Sequence, residues 1–111
     1  RYRRALGIFE AALGPDHVAV AYPLTGLGRV ALLRGEASVA RPLLERAIAL
    51  RAGHDPFELG EAQDFGARAR AGTGDLRGAR ALATQAEASY RGAGDRSRRE
   101  RRALAAWLAS L

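Results

Sequence analysis

The segment YPLTGLGRVALLRGEASVARPLLERAIAL, residues 22–50, decides the fold. Its first half repeats apolar residues at the three- and four-residue spacing of an α-helix, and Arg34-Gly35 interrupts that pattern. Its second half carries another apolar stripe, which runs from Val39 to Leu50. Two helices joined by a short glycine-containing turn form a helical hairpin, so the segment predicts an antiparallel helix pair.

The composition of the whole chain also favours helices over strands. Among 111 residues, Ala occurs 25 times and Leu 15 times, whereas Val and Ile together occur only 6 times. Unbranched side chains lose little rotamer freedom in a helix, and β-branched side chains lose more. The longest apolar run, Ala103–Ala109, is far shorter than the roughly 20 residues that span a bilayer. We therefore expect an all-α, cytoplasmic protein without a membrane partner.

The residue types that the chain lacks exclude several chemistries. It contains no Cys, and all 18 basic side chains are Arg, so it contains no Lys. Without Cys there is no thiol nucleophile, disulfide or thiolate zinc site. Without Lys there is no phosphate-binding loop of the Gly-Lys-Ser/Thr type and no Schiff base. We predict that the protein is not an enzyme and has no catalytic residues, cofactor or metal site.

The hairpin recurs along the chain. The sequence offset from Gly35 to Gly74, which we call the repeat shift, also places Ala40 on Ala79, Leu43 on Leu82 and Ala47 on Ala86. A slightly longer offset aligns the start of the chain with the second helix of the hairpin. A repeat at fixed spacing is typical of helical arrays. We predict one domain over residues 1–111, made of the second helix of a truncated repeat (1–13), two repeats (17–52 and 56–91) and a capping helix (96–110).

Polar residues predict where the later helices begin. Asp55 and Glu58 have the spacing of a capping box, in which an N-cap side chain and a glutamate satisfy backbone N–H groups reciprocally. Ser97 and Glu100 repeat this pattern before the last helix. Asp75 is the predicted N-cap of the helix between them.

These residues carry a resemblance to a known family. The pattern resembles a tetratricopeptide repeat in Leu24, Leu27, Gly28, Ala31, Gly35, Ala40, Leu44 and Ala47. The loop 13–17 and the run 40–47 look like the longer, kinesin-light-chain type of this repeat, and the likeness covers residues 1–91. The tail 79–108 resembles the C-terminal repeats of bacterial serine/threonine protein kinases. The resemblance implies antiparallel hairpins stacked as a short right-handed superhelix with a C-terminal capping helix.

The same resemblance implies a function. In tetratricopeptide arrays the first helix of each hairpin lines a concave groove that binds a protein partner. The inner face maps onto Tyr22, Thr25, Arg29, Leu33, Glu61, Asp64 and Arg68. The repeat shift relates Arg29 to Arg68, so we expect these two arginines to stack and to pair with carboxylates of an acidic peptide. The leading hypothesis is a non-catalytic protein-protein interaction scaffold in the C-terminal part of a larger bacterial signalling protein.

The charge of the chain leaves a second hypothesis open. The net charge of +6 divides into +4 in residues 1–52, −1 in 53–94 and +3 in 95–111. The last group is a basic patch formed by Arg96, Arg98, Arg99, Arg101 and Arg102. It is either a solvated cap or the binding surface of a nucleic-acid or anion-binding accessory domain of a regulator. Nucleic acid is the less favoured partner, because the only nearby aromatic ring, Trp107, falls on the apolar face.

Several short motifs have structural explanations. Asp64-Phe65-Gly66 spells the metal-binding tripeptide of protein kinases but lies in the middle of a predicted helix, without the other kinase motifs. Gly26 and Gly28 imitate a dinucleotide fingerprint without a preceding strand, so we expect them to permit close helix packing. His17 and His54 lie in equivalent loops, where capping and loop roles are expected.

The first predicted helix has no partner before it. We therefore expect an exposed apolar strip around Leu6, Ile8 and Phe9 that can bind a second copy of the chain. Light scattering of the concentrated protein should detect a homodimer. A purely monomeric species at high concentration would contradict this prediction.

Overall fold

Helices account for all of the regular secondary structure in the computed structural model, which describes residues 1–111. No strand occurs, so the predicted all-α class is confirmed. The α-helices are α1 (Tyr2–Leu13), α2 (Ala21–Leu33), α3 (Ala37–Arg51), α4 (Pro56–Gly72), α5 (Leu76–Ala93) and α6 (Arg98–Ala109). Short 3₁₀ turns precede α2 at Val18–Val20 and α6 at Gly94–Ser97.

A glycine with positive φ closely follows the end of each of the first five helices. These glycines are Gly14, Gly35, Gly53, Gly74 and Gly94, with φ between 73° and 89°. A side chain is strained in this left-handed region and glycine is not, so each glycine allows the chain to leave its helix. The predicted break at Arg34-Gly35 is therefore confirmed. Helix α5 continues to Ala93, slightly past the predicted end of the second repeat.

The predicted aspartate caps are confirmed. The Asp55 carboxylate accepts a hydrogen bond from the backbone N–H of Glu58 at 3.0 Å. The Asp75 carboxylate accepts one from the backbone N–H of Gly78 at 2.9 Å. The predicted reciprocal hydrogen bond of this capping box, from the Asp55 backbone N–H to the Glu58 carboxylate, is wrong. The Glu58 carboxylate lies 3.2 Å from the guanidinium of Arg51 instead.

The predicted Ser97 cap is also wrong. The Ser97 hydroxyl is buried and shares its one hydrogen between the backbone carbonyls of Tyr90 and Gly94, the second at 2.7 Å. It therefore ties the start of α6 to the end of α5 and satisfies carbonyls instead of helix N–H groups. The preceding 3₁₀ turn delays the start of α6 to Arg98.

The helices pack as hairpins. Helix α2 packs on α3, α4 packs on α5, and α3 contacts α4 between the two hairpins. Helix α1 packs on α2 and α6 on α5, so the ends of the stack are single helices. Helices α2 and α4 also contact each other. This is the predicted arrangement of antiparallel hairpins closed by a C-terminal helix.

Close approach within each hairpin depends on a glycine. A Cβ atom on Gly28 would lie 2.5 Å from Leu44 Cγ, and a Cβ atom on Gly66 would lie 2.9 Å from Leu82 Cδ2. Real Cβ contacts are not this short, so a leucine of the second helix fills the space over each glycine. The predicted packing role is confirmed for Gly28, and Gly26 has a similar role under the ring of Tyr2.

The predicted apolar strip of α1 is only partly exposed. Ile8 is 55% exposed, whereas Leu6 and Phe9 are half-buried and pack against the core around Leu24. The strip that a second copy could contact is therefore narrower than predicted, and the homodimer stays a prediction. Crossing a bilayer would need a longer and more apolar helix than any of the six.

The glycine contacts generate a stability prediction. Replacing Gly28→Val should lower the free energy of unfolding by about 1–3 kcal/mol, because the new side chain overlaps Leu44. The control is Gly7→Ala, since Gly7 is a helical glycine with no atom near its missing Cβ. It should gain about 0.5–1 kcal/mol from the lower backbone entropy of the unfolded chain. Urea unfolding measures both, and equal stability of Gly28→Val and wild type would contradict the packing role.

Candidate peptide-binding groove

Two adjoining cavities lie along the side of the stack that α2 and α4 share. The first cavity has a volume of about 630 Å³ and reaches Tyr2 on α1. The second has a volume of about 420 Å³ and reaches Glu100 on α6. Arg29, Glu61 and Phe65 line both cavities. We call the two cavities together the groove.

All seven residues predicted for the inner face lie in this groove. The first cavity is lined by Tyr22, Thr25, Arg29 and Glu61. The second is lined by Arg29, Leu33, Glu61, Asp64 and Arg68. The structure thus brings the predicted residues to the lining of two adjoining cavities. Their binding of a partner stays a prediction.

Exposed apolar side chains lie at both ends of the α2 wall. Tyr22 is 58% exposed and Leu33 is 79% exposed. At the rise of an α-helix, their Cα atoms are separated by about 16 Å along the axis. Apolar side chains this exposed offer area that a partner could bury, and Arg29 lies between them.

Asp64 connects three helices below the second cavity. It is 5% exposed, and its carboxylate accepts one hydrogen bond from Arg68 Nε and one from the Tyr90 hydroxyl, both at 2.9 Å. The Arg68 guanidinium in turn lies 5.0 Å from the ring centroid of Trp107 on α6. A buried carboxylate needs such partners, because charge without them is costly in the protein interior. The aspartate of the Asp64-Phe65-Gly66 motif therefore has a structural role.

Tyr90 acts as a hydrogen-bond donor in this cluster. Burial raises the pKa of the Tyr90 hydroxyl far above its ordinary value, and the neighbouring charge of Asp64 raises it further. The hydroxyl therefore stays protonated and donates to the carboxylate. Helix α5 is held to α4 at the base of the groove by this bond.

The two arginines that the repeat shift relates are not equivalent in their contacts. Arg68 is bound by Asp64, one turn earlier on α4. The corresponding residue one turn before Arg29 is Thr25, which has no charge, and Arg29 makes no ion pair. Of the two arginines, Arg68 is therefore held by an internal ion pair and Arg29 is not, and ligand binding by either stays a prediction.

Arg51 is a groove residue that sequence reasoning missed. It is the last residue of α3, is only 7% exposed and lines the first cavity. Its Nη1 lies 3.2 Å from Glu58 Oε1, but its Nε has no hydrogen-bond partner. The repeat shift places Arg51 on Tyr90, so the repeat register contained a signal for an inward-facing polar residue here.

Glu61 lines both cavities. It is partly buried and makes no ion pair with any arginine. Burial raises the pKa of its carboxyl, while the positive charges of Arg51 and Arg29 oppose that shift. Both arginines line the first cavity together with Glu61.

Part of the predicted basic patch at the C-terminus is paired with acidic side chains. Arg96 hydrogen-bonds to Asp55, which lowers the pKa of that carboxyl. Two further ion pairs join Arg98 to Asp95 at 3.4 Å and Arg101 to Glu87 at 3.3 Å. Only the remaining two arginines of the patch, Arg99 and Arg102, make no ion pair.

The histidines do not form a metal site. No group of three or more His, Cys, Asp or Glu side chains lies together in the structure. His17 Nδ1 accepts a hydrogen bond from the backbone N–H of Ala19 at 3.0 Å, which confirms its predicted capping role. His54 is an exposed loop residue.

The Asp64 cluster generates a second stability prediction. Tyr90→Phe removes one of the two donors to a buried carboxylate, so the free energy of unfolding should fall by about 1.5–3 kcal/mol. Tyr22→Phe is the matched control, because that tyrosine is exposed and its hydroxyl has no hydrogen-bond partner in the protein; its effect should stay within about 0.5 kcal/mol. Chemical denaturation measures both. Similar stabilities of the two variants would contradict the role given to the Tyr90 hydroxyl.

Comparisons with known proteins agree with this architecture. No curated protein and no solved structure gives a significant match to the chain. Residues 1–52, which contain α1 and the first hairpin, match the family model of the tetratricopeptide repeat. Repeats of this family are generally non-catalytic and mediate protein-protein interactions. The match therefore shows similarity to the tetratricopeptide repeat in α1 and the first hairpin, and the second hairpin packs in the same way.

Proposed function

We propose that the protein is a non-catalytic interaction module that binds a peptide segment of a partner protein in the groove. The observation that carries this proposal is Arg29, an exposed guanidinium between two cavities that has no ion pair within the chain. The tetratricopeptide-repeat match supports it, since such repeats generally bind proteins. As the sequence predicts, the module would serve a larger bacterial signalling protein.

The shape of the groove fits a short extended segment. The α2 wall between Tyr22 and Leu33 is about 16 Å long, and an extended chain rises about 3.3 Å per residue. About five peptide residues would therefore span it. Apolar side chains of the peptide would cover Tyr22 and Leu33, and a central acidic side chain would meet Arg29.

The charge distribution supports an acidic group in the peptide. Arg68 is already bound to Asp64 and Arg96 to Asp55, so neither is available without breaking an internal contact. Arg29 has no such contact to lose. A charge-assisted hydrogen bond between its guanidinium and a carboxylate would add both affinity and orientation.

The alternative of nucleic-acid binding has weaker support. Three of the five arginines of the basic patch are in ion pairs with acidic residues. Binding a phosphate backbone through them would compete with these pairs. Arg99 and Arg102 alone give a small positive surface.

A selection experiment tests the proposed function. Binders should be isolated from a displayed library of random peptides and mapped onto the protein by NMR. Arg29→Glu should weaken their binding at least tenfold, because it replaces an attractive charge by a repulsive one. Arg80→Glu is the matched control, since Arg80 is an exposed arginine on α5 without an ion pair and outside both cavities. It should leave binding unchanged.

Arg68 is left unchanged in this design because its replacement would break the contacts with Asp64 and Trp107. Circular dichroism should show equal helicity for both variants. Peptides that bind Arg29→Glu as well as wild type, or that map onto α6 outside the groove, would contradict the proposed function.

A further inference from the structure

The single helices at the two ends of the stack are of opposite kinds. Helix α1 aligns by sequence with α3, which is the second helix of the first hairpin, and it packs on α2 as α3 packs on α4. Helix α6 packs on α5 as α4 packs on α3, so it occupies the place of a first helix. Each end of the stack therefore presents the helix that the other end would need to complete a hairpin.

Exposed side chains show where α1 is left without a hairpin partner. The offset that aligns α1 with α3 places Ala5 on Ala47. It also places Ile8 on Leu50. Ala47 is fully buried, and Leu50 packs against the core cluster that contains Leu24. The α1 residues are less covered, since Ala5 is half-buried and Ile8 is 55% exposed.

The outer faces of α1 and α6 have the same residue pattern. On α1 the exposed residues at helical spacing are Arg4, Gly7, Ile8 and Ala11. On α6 they are Arg102, Ala105, Ala106 and Ala109. Each face has an arginine in its first half and small or apolar residues after it. Both helices are 12 residues long, so the two faces also match in length.

The placement of charge favours an antiparallel pair of these helices. Arg3 and Arg4 lie in the first turn of α1, and Arg98 and Arg99 lie in the first turn of α6, where positive charge opposes the helix dipole. Neither helix has a basic residue in its last turn. In an antiparallel pair the arginines of each helix lie beside the carboxyl end of the other, where positive charge is favourable. A parallel pair would bring the two sets of arginines together.

From these observations we infer that copies of the chain associate head to tail, with α6 of one copy packed antiparallel on α1 of the next. This pair completes a hairpin between α4 and α5 of the first copy and α2 and α3 of the second. The new contact continues the packing that already joins α5 to α6 and α1 to α2. No residue of the two outer faces lines either cavity of the groove, so the inference does not rest on the proposed function.

The contact is heterologous, because each copy contributes a different surface. One α1 and one α6 stay open in the dimer, so further copies add until a ring closes or a chain forms. Helices of this length span about 18 Å. One such helix pair buries less than the roughly 1,200 Å² of a stable interface. Association is therefore weak, with a Kd on the order of 100 μM.

Sedimentation equilibrium of the whole chain tests this association. Between about 10 μM and about 1 mM, the average mass of the wild type should rise with concentration and pass that of a dimer. A monomer throughout this range would overturn the inference. So would a mass that stops at the dimer, because a symmetric contact between two α1 helices ends there.

Two variants each block one end of the chain. Ile8→Arg places a charge in the α1 face, and Ala106→Arg places one in the α6 face, both at exposed positions. Burying an unpaired charge should weaken the blocked contact at least tenfold, so each variant alone should be monomeric at about 100 μM. An equimolar mixture still has one intact α6 and one intact α1. It should form a 1:1 dimer and nothing larger.

The mixture separates head-to-tail contact from its alternatives. If Ala106→Arg alone associates as the wild type does, α1 binds a second α1 and the inference is wrong. A mixture that stays monomeric would also overturn it. Ala49→Arg is the matched control, because it adds the same charge at an exposed position of α3 outside both faces, and it should associate like the wild type.

Circular dichroism should show equal helicity for all of these variants. If Ile8→Arg loses helicity, Ala11→Arg on the same face takes its place, and Ala109→Arg does so for α6. Peptide binding in the groove should be unchanged in the monomeric variants. Loss of self-association and loss of peptide binding are therefore separate results.

Discussion

The buried carboxylate of Asp64 determines how the second half of the molecule is arranged. Both of its oxygens are bound, one by Arg68 of the same helix and one by Tyr90 of α5. Because a buried charge is tolerated only with such partners, the positions of these two side chains are closely constrained. Arg68 in turn lies against Trp107, so the position of α6 is coupled to the same carboxylate. The far end of the groove depends on this single charge.

The depth of the groove depends on a different constraint, the small residues inside the hairpins. Gly28 and Gly66 leave room for a leucine of the facing helix, and larger residues there would push the two helices apart. Buried alanines have the same effect along α3 and α5. Close hairpins keep α2 and α4 near enough to share Arg29, Glu61 and Phe65 between adjoining cavities. The same small residues therefore determine how the hairpins pack and how the groove is shaped.

Local features were the ones that the sequence made predictable. Glycines with positive φ end helices through their own backbone conformation, and helical periodicity identifies the inner face without knowledge of the neighbours. Ser97 was misassigned because its hydroxyl is satisfied by carbonyls at the end of α5, which no local pattern shows. The ion pair of Arg68 with Asp64, by contrast, lies within one helix, at a four-residue spacing that the sequence contains. Only the contact of Arg68 with Trp107 lies outside any local pattern, because α6 is distant from α4 along the chain.

Arg51 illustrates what a repeat register can add to local pattern. An arginine in the last turn of a helix is usually expected to be solvated, where its charge interacts favourably with the helix dipole. The repeat shift aligns Arg51 with Tyr90 and so predicts an inward-facing side chain instead. Arg51 is buried in the structure. Equivalent positions that carry different chemistry are informative in a repeat protein, because the shared backbone places them in comparable surroundings. Where one repeat has Asp64 and the other has Thr25, the two hairpins therefore present different chemistry at the same point of a shared backbone.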